Sequence, residues 1–334
     1  MSRRLLITGA TGGLGMALAR EALLRGHEVR ATGRSRAAGE VLTALGAEFI
    51  AADLTHPQTD LAQLVAGMDS VVHAAALSAS WGPKKAFERH NVTMTEQLLN
   101  AAAQSGASRF VLVSSPSIFA AYRDRLLIDE QSQPAKTPLN HYARTKLAAE
   151  RLVLASRRDA LHCCTIRPRA LVGPGDRVIL PKLAELAGRS RVPLPRGGRA
   201  LIELTDLRDA AWAVCEAEAR TPQLAGQAIN ISGGQPVTVH EVAYRLARVL
   251  GKSPRFISLP VGLARAIAVL QEQWGMLTRA EHEPLLTRYK LATLAYSQTF
   301  DLAPARHLLG YRPRFDAMAT LLAQAQQLAL QEAS

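Results

Sequence analysis

The chain has 334 residues, 48% of them hydrophobic, with 40 Lys and Arg against 28 Asp and Glu for a formal charge of +12. This supplies one sizeable core with an appendage, and no apolar run reaches the roughly 18 residues of a membrane span. The positive charge suits an anionic partner, but the arginines are scattered and only 5% of residues are aromatic, which argues against a nucleic-acid surface.

RLLITG reads as a strand and residues 13–25 as a helix. Between them stand Gly9, Gly12 and Gly15, spaced by three, with Thr11, Gly13 and Leu14 completing the turn. A strand, a side-chain-poor turn and a helix N-terminus together make a phosphate cradle: backbone N–H groups point at the anion and no Cβ obstructs it. With no apolar leader ahead of this turn, a cytoplasmic protein is expected. HEVRATG, EFIAAD, SVVHAAA, RFVLVSS and HCCTIRP read as further strands. Helical stretches fall at 38–45, 61–66, 85–105 and 140–156. Such alternation predicts an α/β doubly wound sheet of six or seven mainly parallel strands. The expected division is a dinucleotide-binding unit at 1–168 and a smaller substrate region at 169–330, with some segments of the latter returning to the sheet. Beyond Arg167 the pattern loosens through VGPGD, PLPRGG and ISGGQP, and helices resume at 239–250, 262–273 and 317–330. FISLPVGLARAIAVL, from Phe256, is interrupted by Arg265 and followed by Gln271, Glu272 and Gln273. It reads as an amphipathic helix, with membrane contact the lesser alternative. Cys163, Cys164 and Cys215 stand in apolar contexts as buried thiols, at spacings that give neither a disulfide framework nor a metal site.

Two features carry chemistry. Tyr142 and Lys146 stand four apart on one predicted helix face. A free phenol has a pKa near 10, and a neighbouring ammonium favours its ionised form, which makes the pair a candidate proton shuttle. The second strand ends in ATGRSR, with Gly33 where an NAD enzyme places a carboxylate and Arg34 next. A guanidinium there can bind a 2′-phosphate, so NADP is the expected cofactor. The alternative is a solvated arginine stacking on adenine, which leaves NAD possible.

TGATGGLG, ADLTH at Asp53, HAAAL from His73, HNVTMTEQLLNAA, VSSPSIF, HYARTK and IRPRALVGPGD together resemble the extended short-chain dehydrogenase/reductase family, the epimerase/dehydratase group, along essentially the whole chain. The resemblance implies a Rossmann-type fold and a Ser115, Tyr142 and Lys146 catalytic set, with Ser115 chosen among the serines of VSSPSIF by the family pattern and Ser117 facing substrate. It also implies cofactor contacts at the glycine turn, at Asp53 and Leu54 near adenine, at Ala74, Ala75 and Ala76, and at Tyr142, Lys146, Pro168 and Arg169. Asn91 is either a further cofactor neighbour or a core residue whose amide ties backbone together. Asp53 is otherwise a plain loop acid. A homodimer is a possible assembly.

WGPKKAFERHNV, which contains Trp81, together with LPKLAELA and EPLLTR is similar to the 3β-hydroxysteroid dehydrogenase-like branch, including the 2-alkyl-3-oxoalkanoate reductases. That implies a reductase or dehydrogenase acting on a small, largely apolar ketone or alcohol, with Trp81 beside the substrate. A sugar-nucleotide epimerase is the alternative. In it Arg199 would hold a diphosphate instead of being a strand-edge residue. Dehydratases follow their catalytic hydroxyl residue with an acid pair, whereas Pro116 and Ser117 occupy those places here. A non-catalytic NADP-binding regulator is the third reading, disfavoured by the intact Ser115, Tyr142 and Lys146. The stretches 78–85, 172–195 and 259–287 are expected to shape the substrate pocket.

Overall fold

The structure is a computed structural model that describes residues 2–156, 160–176, 179–278 and 282–333. Its centre is a sheet of β1 (Arg4–Thr8), β2 (Glu28–Gly33), β3 (Glu48–Ala51), β4 (Ser70–His73), β5 (Arg109–Val113), β6 (His162–Pro168) and β7 (Ala228–Ile231). The strands lie in the order β7-β6-β5-β4-β1-β2-β3, and every neighbouring pair is parallel. This is a Rossmann-type doubly wound α/β fold. Strand order reverses between β1 and β4, and ligands of such sheets bind at the carboxyl ends beside that switch.

The alternating side chains of the strands bury both faces of the sheet. Leu5, Ile7, Val111, Val113, Cys164 and Ile166 join one core with helix α1 (Gly13–Leu24) and helix Leu207–Ala219. Leu6, Phe110, Leu112 and Cys163 join the other with helix Met94–Gln104 and helix α2 (His141–Leu154). In α1 the buried positions are Gly15, Leu18, Ala19 and Ala22, the i, i+3, i+4, i+7 stripe of a helix lying on a sheet.

Sequence and structure differ in the extent of two helices, and the structure locates segments that the sequence leaves unplaced. The segments after 168 expected to return to the sheet are β7, which completes it, and helix Leu207–Ala219, which packs on α1. Helix 85–105 is instead Lys84–Glu88, a π turn Arg89–Thr93, and Met94–Gln104, because Asn91 is drawn out of register by hydrogen bonds described below. The helix expected at 262–273 runs longer, Val261–Leu277. Of the expected pocket-shaping stretches, 177–178 and 279–281 lie outside the described residues.

The smaller region is built from helices Ile179–Ala187, Val239–Val249 and Ala317–Ala333 around Val242, Leu246 and Leu321. Helix Val261–Leu277 packs on helix Arg288–Ala295 through Ala264, Leu291 and Ala295. No described helix is long and apolar enough to cross a membrane.

One ion pair locks α2 to the sheet. Arg167 of β6 donates from Nε and Nη2 to Glu150 at 2.8 and 2.5 Å, with both side chains buried, and its Nη1 lies 3.4 Å from Asn230 Oδ1 of β7. Removing one partner of such a pair strands a charge in the core. Arg167→Met is therefore expected to lower the unfolding free energy by about 3–5 kcal/mol. Urea denaturation reads this directly, and a loss under about 1 kcal/mol would show that the pair does not hold α2 in place.

Candidate active site

The carboxyl ends of the strands line up along one edge. Thr8 pairs with Thr32 and His73, His73 with Leu112, Val113 with Ile166, and Pro168 with Ile231. The glycine turn opens off β1. Gly9 has φ +67°, and a Cβ there would stand 2.7 Å from Ala75 N. A Cβ on Gly15 would lie 2.1 Å from Gly9 O, and one on Gly13 2.8 Å from Gly175 O. The close packing of β1, the turn and the 173–175 loop thus requires glycine on each side. Gly12 caps α1 without a side-chain hydrogen bond, and the first turn of the helix carries no acid. Its orphan N–H groups and dipole suit an anion. Thr11 covers Gly33, where a Cβ would meet Thr11 Oγ1 at 2.4 Å. A carboxylate-bearing side chain at that strand end would collide with the turn.

Arg34, exposed, follows Gly33, and its charge reaches Asp53 and His90. Asp53 lies below its ordinary pKa, chiefly because Thr55 N–H donates to its Oδ1 at 2.9 Å, with the Thr55 hydroxyl at 2.8 Å. Leu54 beside it is buried. Ala74–Ala76 continue from β4 across the crevice from the glycine turn.

A polar chain connects this turn to helix α2. His73 is buried and its pKa is pushed down to about 3, so the ring is neutral. Ala75 N–H donates to Thr8 Oγ1 at 3.2 Å, and Thr8 Oγ1 lies 2.7 Å from His73 Nδ1. On the other side, His73 Nε2 lies 3.1 Å from Thr95 Oγ1, whose hydroxyl donates to Asn91 O at 2.7 Å. With the Thr95 proton already directed to Asn91 O, Nε2 must carry the ring proton and Nδ1 accepts from Thr8. Asn91 then accepts from Leu77 N–H at 2.8 Å and donates to Leu77 O at 3.2 Å and Thr145 Oγ1 at 3.0 Å. Protein groups take both its N–H bonds, so the Asn91 amide ties the Leu77 backbone to Thr145.

Ser115 ends the β5 segment and caps the short turn Pro116–Phe119, accepting from Ser117 N–H at 3.2 Å. Ser114 and Ser117 are buried, with no partner for their hydroxyls among the described residues, while Ser115 is half-buried. Asn140 caps α2, accepting from Ala143 N–H at 2.8 Å, and α2 presents Tyr142 and Lys146. Tyr142 lies within side-chain reach of Ser115. Burial pushes its phenol up to about 12, with the Ser115 side chain acting in the opposite sense. Lys146 is buried, donates from Nζ to Val113 O at 2.7 Å, and is pushed down to about 8 by desolvation, against the pull of Glu150. The arrangement therefore holds a protonated phenol within reach of a serine hydroxyl, with an ammonium on the same helix face.

Pro168 ends β6, and Arg169, buried, follows it. Tyr289, absent from the sequence reading, lies within electrostatic reach of both Tyr142 and Arg169. It had no local signal: it sits on an ordinary helix 147 positions beyond Tyr142 by the numbering. Trp81 packs its ring against Gly275 of helix Val261–Leu277, where a Cβ would stand 2.9 Å away. Ser80 and Lys290 both reach Glu283, at 2.5 and 3.2 Å, which clasps the 80–82 loop to the C-terminal segment. Arg199 is exposed beyond the Arg196–Gly198 turn, and no hydrogen bond or ion pair among the described residues ties it to Tyr142.

Replacing Asn91 with Ala removes the partners of the Leu77 N–H and carbonyl, while the Thr145 hydroxyl keeps its bonds to the His141 and Tyr142 carbonyls. Each unsatisfied buried group costs about 1–3 kcal/mol. Thermal unfolding should show a clear drop in Tm for Asn91→Ala. A Tm within error of the parent would mean that the Leu77 loop is held by other contacts.

The family model described as the NAD dependent epimerase/dehydratase family matches residues 5–232. The chain is 33% identical over 316 residues to a 2-alkyl-3-oxoalkanoate reductase of Stenotrophomonas maltophilia (strain K279a), covering 93% of this chain and 95% of that protein. It is 30% identical over 339 residues to a 3-beta-hydroxysteroid dehydrogenase of Mycolicibacterium neoaurum, covering 96% and 90%. Among solved structures it superposes on MoeE5 in complex with UDP-glucose and NAD, with TM-score 0.76, 25% identity and full coverage of both chains. The chain is an enzyme of the NAD dependent epimerase/dehydratase family, the extended short-chain dehydrogenases/reductases.

Proposed function

We propose that this enzyme is an NADP-preferring oxidoreductase that reduces a ketone on a largely apolar molecule, or oxidises the matching secondary alcohol. The reading rests on one arrangement above others: Tyr142, its proton held by burial and within side-chain reach of Ser115, stands one turn before Lys146, whose Nζ is fixed on Val113 O at 2.7 Å. A dinucleotide fits the residues present, since the glycine turn leads into the N-terminus of α1, which has no side-chain cap and no acid in its first turn. Gly9–Gly15 would hold its phosphates, Asp53 and Leu54 its adenine end, Ala74–Ala76 the crevice floor, and Pro168 and Lys146 the nicotinamide side. When bound, the nicotinamide supplies or accepts the hydride.

The remaining chemistry belongs to the chain. Ser115 donates a hydrogen bond to the carbonyl oxygen and stabilises the growing negative charge. Tyr142 delivers its proton to that oxygen, and the Lys146 ammonium stabilises the phenolate left behind. Pro116 and Ser117 offer no carboxylate for removing water, which supports simple oxidoreduction over dehydration. The two similar enzymes, a 3-oxoalkanoate reductase and a hydroxysteroid dehydrogenase, support an apolar ketone as substrate. The NAD and UDP-glucose of MoeE5 keep NAD and a sugar nucleotide among the ligands to assay.

Arg34 carries the cofactor preference. A charged hydrogen bond contributes about 1.5–3 kcal/mol, so Arg34→Asp should weaken NADPH about 10- to 100-fold and leave NADH nearly unchanged. Fluorescence titration with both cofactors measures this. Equal losses would remove Arg34 from 2′-phosphate recognition.

Tyr142→Phe deletes only the hydroxyl. Reduction should slow by about 10²–10⁴-fold with cofactor affinity retained. The parent assay follows NADPH absorbance with 3-oxoacyl compounds, 3-ketosteroids and UDP-sugars in parallel. Turnover of an apolar ketone supports the proposal, whereas UDP-sugar interconversion without net NADPH loss replaces it with an epimerase.

A further inference from the structure

Arg169 presents an unresolved charge. Its side chain is only 8% exposed, and its Nε is buried without a partner. Among the described residues no hydrogen bond or ion pair engages its guanidinium. Glu203 is the nearby acid, but its carboxylate is directed elsewhere: it accepts from Ser232 Oγ and from Phe300 N–H, the latter at 3.3 Å. Burial holds Glu203 above its ordinary pKa, against the pull of the Arg169 charge. An arginine stays protonated even when buried, and a buried charge without a partner is costly. By contrast Arg167, two residues earlier, has its own carboxylate at hydrogen-bond distance on two nitrogens.

The backbone holds Arg169 in this position. Its N–H donates to Ile231 O at 2.8 Å, its carbonyl accepts from Thr205 Oγ1, and Ala170 next to it takes φ +39°, in the left-handed region that costs an alanine strain. The residue follows the end of β6 at the carboxyl edge of the sheet, where Ser115 and Tyr142 also lie. Tyr289 is within electrostatic reach of both Arg169 and Tyr142.

We infer that Arg169, assisted by the Tyr289 hydroxyl, is a substrate-binding residue that pairs with a carboxylate carried close to the reacting carbonyl, as in a 3-oxo acid. This rests on the proposed ketone reduction and narrows its substrate to acids. It also moves Arg169 from the cofactor contacts that the family resemblance implies to the substrate side. A guanidinium binds a carboxylate through paired N–H bonds, and the Tyr289 phenol, within electrostatic reach, is the further donor in the assignment. The arrangement favours the acid over its ester, because an ester leaves the buried charge without a counter-ion.

The test compares the full-length parent, Arg169→Gln and Tyr289→Phe. Turnover is measured with 3-oxodecanoate and its methyl ester. Binding of 3-hydroxydecanoate and its methyl ester to the NADPH complex is measured by calorimetry, so that the site has a readout without turnover. Arg169→Gln should raise KM for the acid, and weaken the hydroxy acid, about 10- to 100-fold, with both esters and NADPH affinity nearly unchanged. Tyr289→Phe should show the same pattern to a smaller degree. Because Arg169→Gln removes a buried charge with no partner, its Tm should hold or rise. Equal losses for acid and ester, a loss of NADPH binding, a lowered Tm, or a parent that binds acid and ester alike would each overturn the assignment. A parent that binds the hydroxy acid through Arg169 but reduces neither ketone would instead sink the reductase reading and leave the carboxylate site standing.

Discussion

The geometry of the site depends on a buried ammonium resting on a backbone carbonyl. Lys146 Nζ donates to Val113 O at 2.7 Å, at the last residue of β5. Two residues later the same segment presents Ser115, and one turn earlier on the same helix stands Tyr142. The bond therefore sets the distance between the two elements that carry the chemistry. It has an electrostatic cost. Desolvation brings the ammonium down to about 8, and Glu150 opposes that pull while anchoring α2 to β6 through Arg167. One carboxylate thus both fixes the helix and keeps Lys146 charged. Tyr142 experiences the same burial with the opposite result: its neutral form is favoured, which suits a proton donor.

The polar chain through His73 gives the glycine turn the same kind of support. A neutral imidazole of defined tautomer links Thr8 to Thr95, and Asn91 carries the link to Thr145, the residue before Lys146. The glycine turn and helix α2, distant in sequence, are therefore joined by paired buried hydrogen bonds, which resist partial displacement because each broken bond leaves a polar group dry. The π turn at Arg89–Thr93 is the local consequence: the helix yields one residue of register so that Asn91 can serve Leu77 and Thr145 together.

Six of the seven sheet strands were legible because each is a short apolar run bounded by glycine or polar residues. AINI of β7 was not. It is only four residues long, and its partner β6 lies more than 50 positions earlier. Helix Leu207–Ala219 escaped for a different reason: LRDAAWAVCEAEA buries small residues on much of its surface, with little amphipathic contrast. In the site, Tyr-x-x-x-Lys and the glycine spacing are local patterns that sequence displays. The Val113 carbonyl has no side chain to read. Tyr289, and the difference between paired Arg167 and unpaired Arg169, emerge only when distant segments meet.

The most direct measurement of this account is the pH dependence of kcat/KM for ketone reduction at saturating NADPH. Tyr142 keeps its proton through the working range, so the limiting group is Lys146, active while protonated and lost as pH rises through its lowered pKa. The profile should be level on the acid side and fall about tenfold per unit above a break near the value of about 8 that burial gives Lys146. A rate that stays level to about pH 10, the region of an ordinary lysine, or that climbs through the same range, would contradict it.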